Sequence, residues 1–114
     1  MKKKINILGT EYTIITNKDE CENILTESGA DGLMLKYSRE IYVRDKSLLF
    51  GGEIDDNRAL DNRYKEIVCH ELVHAFLEEG GYDDLSTNEN LVQFLACSLP
   101  KIKNLVKDIL ATEL

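Results

Sequence analysis

The chain is poor in every feature that would take it out of the ordinary globular class. No apolar run approaches the ~20 residues that cross a bilayer, so no membrane span and no membrane partner are expected. Lys2-Lys3-Lys4 resembles the start of a secretory leader, but only Ile5, Ile7 and Leu8 follow before polar residues return. Export by that route is not expected. Basic residues are few, 14 Lys and Arg against 21 Asp and Glu, for a formal net charge of −7. Phosphate recognition wants a basic face, which argues against nucleic acid as the main ligand. The lysines at 2–4 and 101–107 read as solvated edges. Cysteine is limited to Cys21, Cys69 and Cys97, odd in number and with no CxxC pair. That rules against a disulfide framework or a cysteine zinc knuckle. Cys69 and Cys97 lie in apolar helical runs and read as small core residues, and a cytoplasmic location fits all three thiols. There is no internal repeat and no low-complexity tract. Histidine is scarce as well: the chain has two.

What the chain does have is one domain's worth of residues, 114, of which 43% are hydrophobic and 31% charged. That is the profile of a soluble globular domain. Both histidines fall within five residues, His70-Glu71-Leu72-Val73-His74, an HExxH pattern. On a helix, positions four apart lie about 40° apart around the axis and roughly 6 Å along it, so both rings can reach one metal ion. Glu71 lies about 100° round, beside the ion, where a general base for a zinc-bound water belongs. From Ile67 to Leu77 the run is apolar on nearly every side, which places this helix centrally in its domain. Two histidines and a glutamate do not belong there without partners, and a shared ion supplies one.

Local patterns organise the rest. Residues 1–55 carry mainly strand signals. Lys4–Leu8 and Tyr12–Thr16 flank a Gly9-Thr10 turn as a hairpin. A short helix over Lys18–Ser28 ends near Gly29. Leu33–Tyr37 and Glu40–Arg44 give two further strands, and Leu48–Gly52 reads as a loop or short strand. Asp55-Asp56-Asn57 offers caps for the main helix (56–80), which Gly80-Gly81 stops. Tyr82–Leu85 is a short link. Ser86, Thr87 or Asn88 caps the C-terminal helices (86–114), and Pro100 is expected to kink or split them before the amphipathic segment from Ile102 to Leu110.

Catalytic zinc takes three protein ligands and keeps a position open. Glu78 continues the i+4 series but lies about 12 Å along the axis from His70, too far for one ion. The longer HExxHxxGxxH pattern fails, since Leu77 and Gly80 stand at its glycine and last histidine. The third ligand should come from the next helix. Glu89 is its first acidic residue, with Gln93 one turn on as a supporting hydrogen-bond partner. Ser86-x-x-Glu89 is also a capping box, which would employ Glu89 otherwise. Asp83 and Asp84 are the reserve ligands, ahead of Cys97.

HELVHAF, the glycine-ended helix, the glutamate opening the next one and Phe94-Leu95-Ala96-Cys97-Ser98-Leu99-Pro100 together resemble the ImmA/IrrE-type metallopeptidases. The resemblance covers roughly residues 60–100, with a Glu-to-Pro interval a little shorter here. It implies His70, His74 and Glu89 as ligands to one zinc ion and Glu71 as catalytic base. It also implies an α+β, minimal zincin-like fold, a small and mainly antiparallel sheet packed on the HExxH helix. The look is similar to small stand-alone proteins of phages and mobile elements. Better-known members cleave transcriptional repressors and often carry extra domains, for which 114 residues leave no room.

The expected function is therefore that of a zinc endopeptidase acting on a protein or peptide. Its substrate would be laid along Glu40–Arg44 as an edge strand, with Tyr82 or Tyr42 as oxyanion donor. The rival readings are a zinc-containing binding protein without activity, and a metal-free interaction domain.

Overall fold

Alternating apolar residues build the sheet. The computed structural model describes residues 1–113. Strand β1 (Lys2–Ile7) pairs antiparallel with β2 (Thr10–Ile15) from Lys2↔Ile15 to Ile7↔Thr10. The hairpin turns on Leu8 and Gly9, both at positive φ (51° and 90°), one residue before the expected Gly9-Thr10. Two successive positive φ values match the right-handed twist of the flanking strands. The Asn6 side chain fixes the turn by accepting from the Gly9 amide at 2.8 Å.

Helix α1 (Lys18–Ser28) follows, ended by Gly29 in the left-handed region, and then β3 (Gly32–Leu35) and β4 (Glu40–Val43). The strand order is β1-β2-β4-β3. β4 runs parallel to β2 and antiparallel to β3, so two of the three pairings are antiparallel. The fold class is α+β, as expected. The edge assignment is corrected: β4 is an interior strand, and the edges are β1 and β3. The reason is that β4 is apolar on both faces. Ile41 and Val43 are fully buried on one side, while Tyr42 packs on the other against the cluster of Ile15, Cys21 and Leu25.

The two faces of the sheet carry different helices. α1 covers Ile15, Leu33 and Tyr42 through Cys21 and Leu25. The opposite face, with Tyr12, Ile14, Ile41 and Val43, receives Leu60, Ile67 and Ala75 of α2 (Asn57–Glu79). Between β4 and α2 the chain makes short 3-10 turns over Lys46–Gly52, not a strand, and these insert Leu49 into the core.

α2 is pinned at both ends. Asp56 caps its first turn by accepting from the amides of Arg58 and Ala59, and Lys46 pairs with Asp61 at 2.9 Å. At the far end Glu79 accepts from the Tyr12 hydroxyl at 2.7 Å and from Thr10 Oγ1 at 2.9 Å. The helix closes on Gly81 (φ 86°), with Tyr82 N–H bonded to Leu77 O and Gly81 N–H to Glu78 O. This is a Schellman motif, and its left-handed residue is where glycine is required.

The link expected over Tyr82–Leu85 contains a single helical turn, α3 (Asp83–Ser86). Asn88, one of the three expected caps, then accepts from the Leu91 amide at 3.1 Å and opens α4 (Glu89–Glu113). The first half of α4 packs Val92 and Ala96 against Val73 of α2. Pro100 does not split α4, which continues on both sides of it. The proline removes one amide donor, and the neighbouring turns hold the helix together. Among the described residues no helix is long and apolar enough to cross a membrane.

Candidate metal centre

Three side chains from two helices converge. His70 and His74 leave α2 four residues apart, and their Nε2 atoms stand 3.2 Å from each other. Glu89, in the first turn of α4, brings Oε2 to 2.9 Å from His70 Nε2 and Oε1 to 3.0 Å from His74 Nε2. Zinc–ligand bonds of about 2.0–2.1 Å in tetrahedral geometry put ligand atoms roughly 3.3–3.4 Å apart. The observed edges are close to that. His70, His74 and Glu89 could hold a metal ion.

The hydrogen-bond network decides which nitrogen each ring offers. Glu66 Oε1 can only accept, so the Gln93 Nε2 group at 2.8 Å donates to it. Gln93 Oε1 then faces His70 Nδ1 at 2.7 Å and must accept, which leaves the proton on Nδ1 and the lone pair on Nε2. The same logic holds for the second ring. Ser86 Oγ spends its proton on Glu78 Oε2 at 2.8 Å, so it accepts from His74 Nδ1 at 2.8 Å. Two ring lone pairs and a carboxylate therefore point into one small space, and lone pairs repel unless a proton or a cation lies between them. Burial and the neighbouring His70 hold the His74 imidazole below its usual pKa, against the pull of Glu89. The donor set fits a borderline cation such as zinc, including the outer hydrogen bonds that metal-bound histidines make.

The outer bonds extend further. Glu66 also accepts from Arg63 at 2.8 Å, and Arg63 reaches Asp31, just before β3, at 3.3 Å. The path Asp31–Arg63–Glu66–Gln93–His70 thus ties the loop before the edge strand to α2 and α4.

Glu71 sits beside this group and is 7% exposed. Burial pushes its carboxyl up to about 7; the nearby Glu89 adds to this and His70 opposes it. Gly32 of β3 makes the position possible. A Cβ there would stand 2.7 Å from Ile67 Cγ2, 2.9 Å from Glu71 Cγ and 3.0 Å from Glu71 Oε2. The cleft in front of the three converging side chains has a volume of about 790 Å³ and is walled by β3 on one side and the α2–α4 hairpin on the other.

Each residue picked out from sequence now has a place. His70, His74, Glu89, Glu71 and Gln93 come together. The capping box does not form: Ser86 serves His74 and Glu78, and Glu89 faces the histidines. Asp83 pairs with Lys36 at 3.4 Å instead of facing the rings. Cys97 lies behind Gln93, its Sγ 3.4 Å from Nε2. The two tyrosines are corrections. Tyr42 points to the α1 side of the sheet, because β4 alternates and the cleft lies on the other face. Tyr82 is 60% exposed at the corner after α2 and does not line the cleft. Sequence reasoning missed Ser86, Glu66, Arg63 and Gly32 as parts of the site. Glu66 lies one helical turn before His70, a spacing that offered a signal; the others become visible only when the chain folds. Set beside known protein families, curated proteins and solved structures, the chain matches none of them.

Proposed function

We propose that the protein is a zinc-dependent endopeptidase of the ImmA/IrrE-like kind, hydrolysing a peptide bond in a protein substrate. The observation that carries this reading is the position of Glu71. It is an acid with no ligand role, held under the edge strand beside three converging donors, in a cleft open to a chain. A site that only stored an ion would not need a carboxylate there. Zinc, held by His70, His74 and Glu89, would supply a Lewis acid that acidifies water and polarises a carbonyl.

The chain's own residues do the rest. Glu71 accepts the proton of the attacking water and returns it to the departing amine. Gln93 and Ser86 keep both imidazoles in the tautomer that leaves Nε2 free. The outer edge of β3 has no strand partner among the described residues, so an extended peptide would pair there by β-addition rather than along β4. Met34, which lines the cleft on the α2 face of β3, would meet its side chains. The three free cysteines are compatible with a reducing cytoplasm.

The test is terminal-amine labelling of a host lysate after incubation with zinc-loaded protein. New amino termini are expected with the wild type and not with Glu71→Gln or Glu89→Ala. If Glu71→Gln binds zinc normally and yields the same termini, or retains the full biological effect of the wild type, the peptidase reading is wrong.

A further inference from the structure

The second half of α4 leaves the body of the molecule with an apolar stripe that has no partner among the described residues. Ile102, Leu105, Val106, Ile109 and Leu110 are each 49% to 60% exposed. They fall within an arc of about 140° on the helix surface, so this is one face and not scattered exposure. The stripe continues into an apolar groove of about 490 Å³ between α2 and α4. Leu72, Phe76, Leu77, Leu95 and Leu99 line it, and Phe76 and Leu99 are 46% and 49% exposed. The groove uses a different side of α2 from the metal centre: positions 72, 76 and 77, against 70, 71 and 74.

We propose that this face binds a second copy of the same chain, the α4 overhang of each protomer lying in the α2–α4 groove of the other. The area is adequate. Seven apolar side chains at half exposure, with their neighbours, offer on the order of 700 Å² per copy, close to the ~800 Å² per partner of a standard interface. The lining selects the occupant. It is apolar apart from Lys103, so it takes an apolar helix face. The stripe of the overhang is such a face, and every copy of the chain carries it. A groove takes a helix, not a membrane surface. One chain holds both the stripe and the groove, as a two-fold interface requires. The continuous helix through Pro100 keeps the overhang from folding back into its own groove.

Sedimentation equilibrium of the full chain tests this. The wild type is expected at twice its 13.0 kDa mass. Leu105→Glu with Ile109→Glu removes the stripe, and Phe76→Glu fills the groove with charge. Each is expected to raise the dimer dissociation constant by at least about 100-fold with an unchanged helical circular dichroism signal. Leu99→Glu replaces Phe76→Glu if the latter loses that signal. A wild type that stays at 13.0 kDa at about 100 µM, a dimer that survives both groove variants, or a monomer that instead binds phosphatidylserine vesicles would each overturn the proposal.

Discussion

At the scale of the residue, two ordinary side chains fix the chemistry of the rings. Gln93 and Ser86 each accept from an Nδ1–H because their own protons are committed to Glu66 and Glu78. Gln93→Ala or Ser86→Ala is expected to weaken zinc binding by about 10–100-fold, measured by competition with a chromophoric chelator, and Glu89→Ala by more than either. Equal affinities in all four proteins would remove Glu89 from the ligand set. Gly32 makes a separate prediction. The Cβ of Gly32→Ala would press on Ile67 and Glu71, with about 1–3 kcal/mol of stability lost to overpacking; under the proposed peptidase function, cleavage should fall while zinc content holds. Zinc analysis beside a turnover assay separates the two effects. HExxH and Glu89 were legible in the chain because i+4 geometry and ligand chemistry are local. Gly32 was not, because its demand comes from a helix 35 positions downstream, and the reach of Arg63 to Asp31 likewise exists only across the folded contact.

At the scale of the element, the strands and helices were largely legible and their adjacency was not. α1 (Lys18–Ser28) ends at the left-handed Gly29, and α2 (Asn57–Glu79) begins at the Asp56 cap and ends at Gly80-Gly81. The position of β4 inside the sheet depends on β2 finding it in parallel across α1 and β3, a long-range pairing that no local pattern encodes. Pro100 misled in the other direction, since a helix held by neighbouring turns tolerates one missing donor. Pro100→Ala restores that donor and is expected to stabilise the fold by about 1–3 kcal/mol, read from chemical denaturation. The end of α2 gives a pH prediction. Burial and the bond to Glu79 push the Tyr12 hydroxyl from 10.0 up to about 12. A raised value means the fold favours the neutral phenol, so this contribution is complete below pH 10 and is lost as pH rises towards 12. Bonds from Tyr12 and Thr10 hold Glu79 below the usual carboxylate range, so its contribution is present above its ordinary value and fades on acidification. Melting temperature plotted against pH should therefore fall less steeply between pH 10 and 12 in Tyr12→Phe than in the wild type. Parallel curves would show that the Tyr12–Glu79 contact does not form.

At the scale of the whole molecule, the layers run α1, sheet, α2, α4, and the candidate ion site joins the last two. Anything that binds only the native state stabilises it, by about 2.7 kcal/mol at a concentration 100 times its dissociation constant. Chelation should lower the melting temperature by several degrees, and re-added zinc should restore it in the wild type and much less in Glu89→Ala. An unchanged melting temperature after verified metal removal would argue that the three side chains hold no ion. Two of the three side chains belong to α2 and the third to α4, so an ion held by them would close the short segment between those helices like a buckle. In the stripped protein that corner, from Gly80 to Asn88, is held by a single helical turn and a few hydrogen bonds. Its amides should exchange with solvent faster than those of the sheet and slow sharply when metal is added. Such a molecule would carry a readable record of its own loading in one nine-residue stretch, and a protease cutting there would find the empty form first.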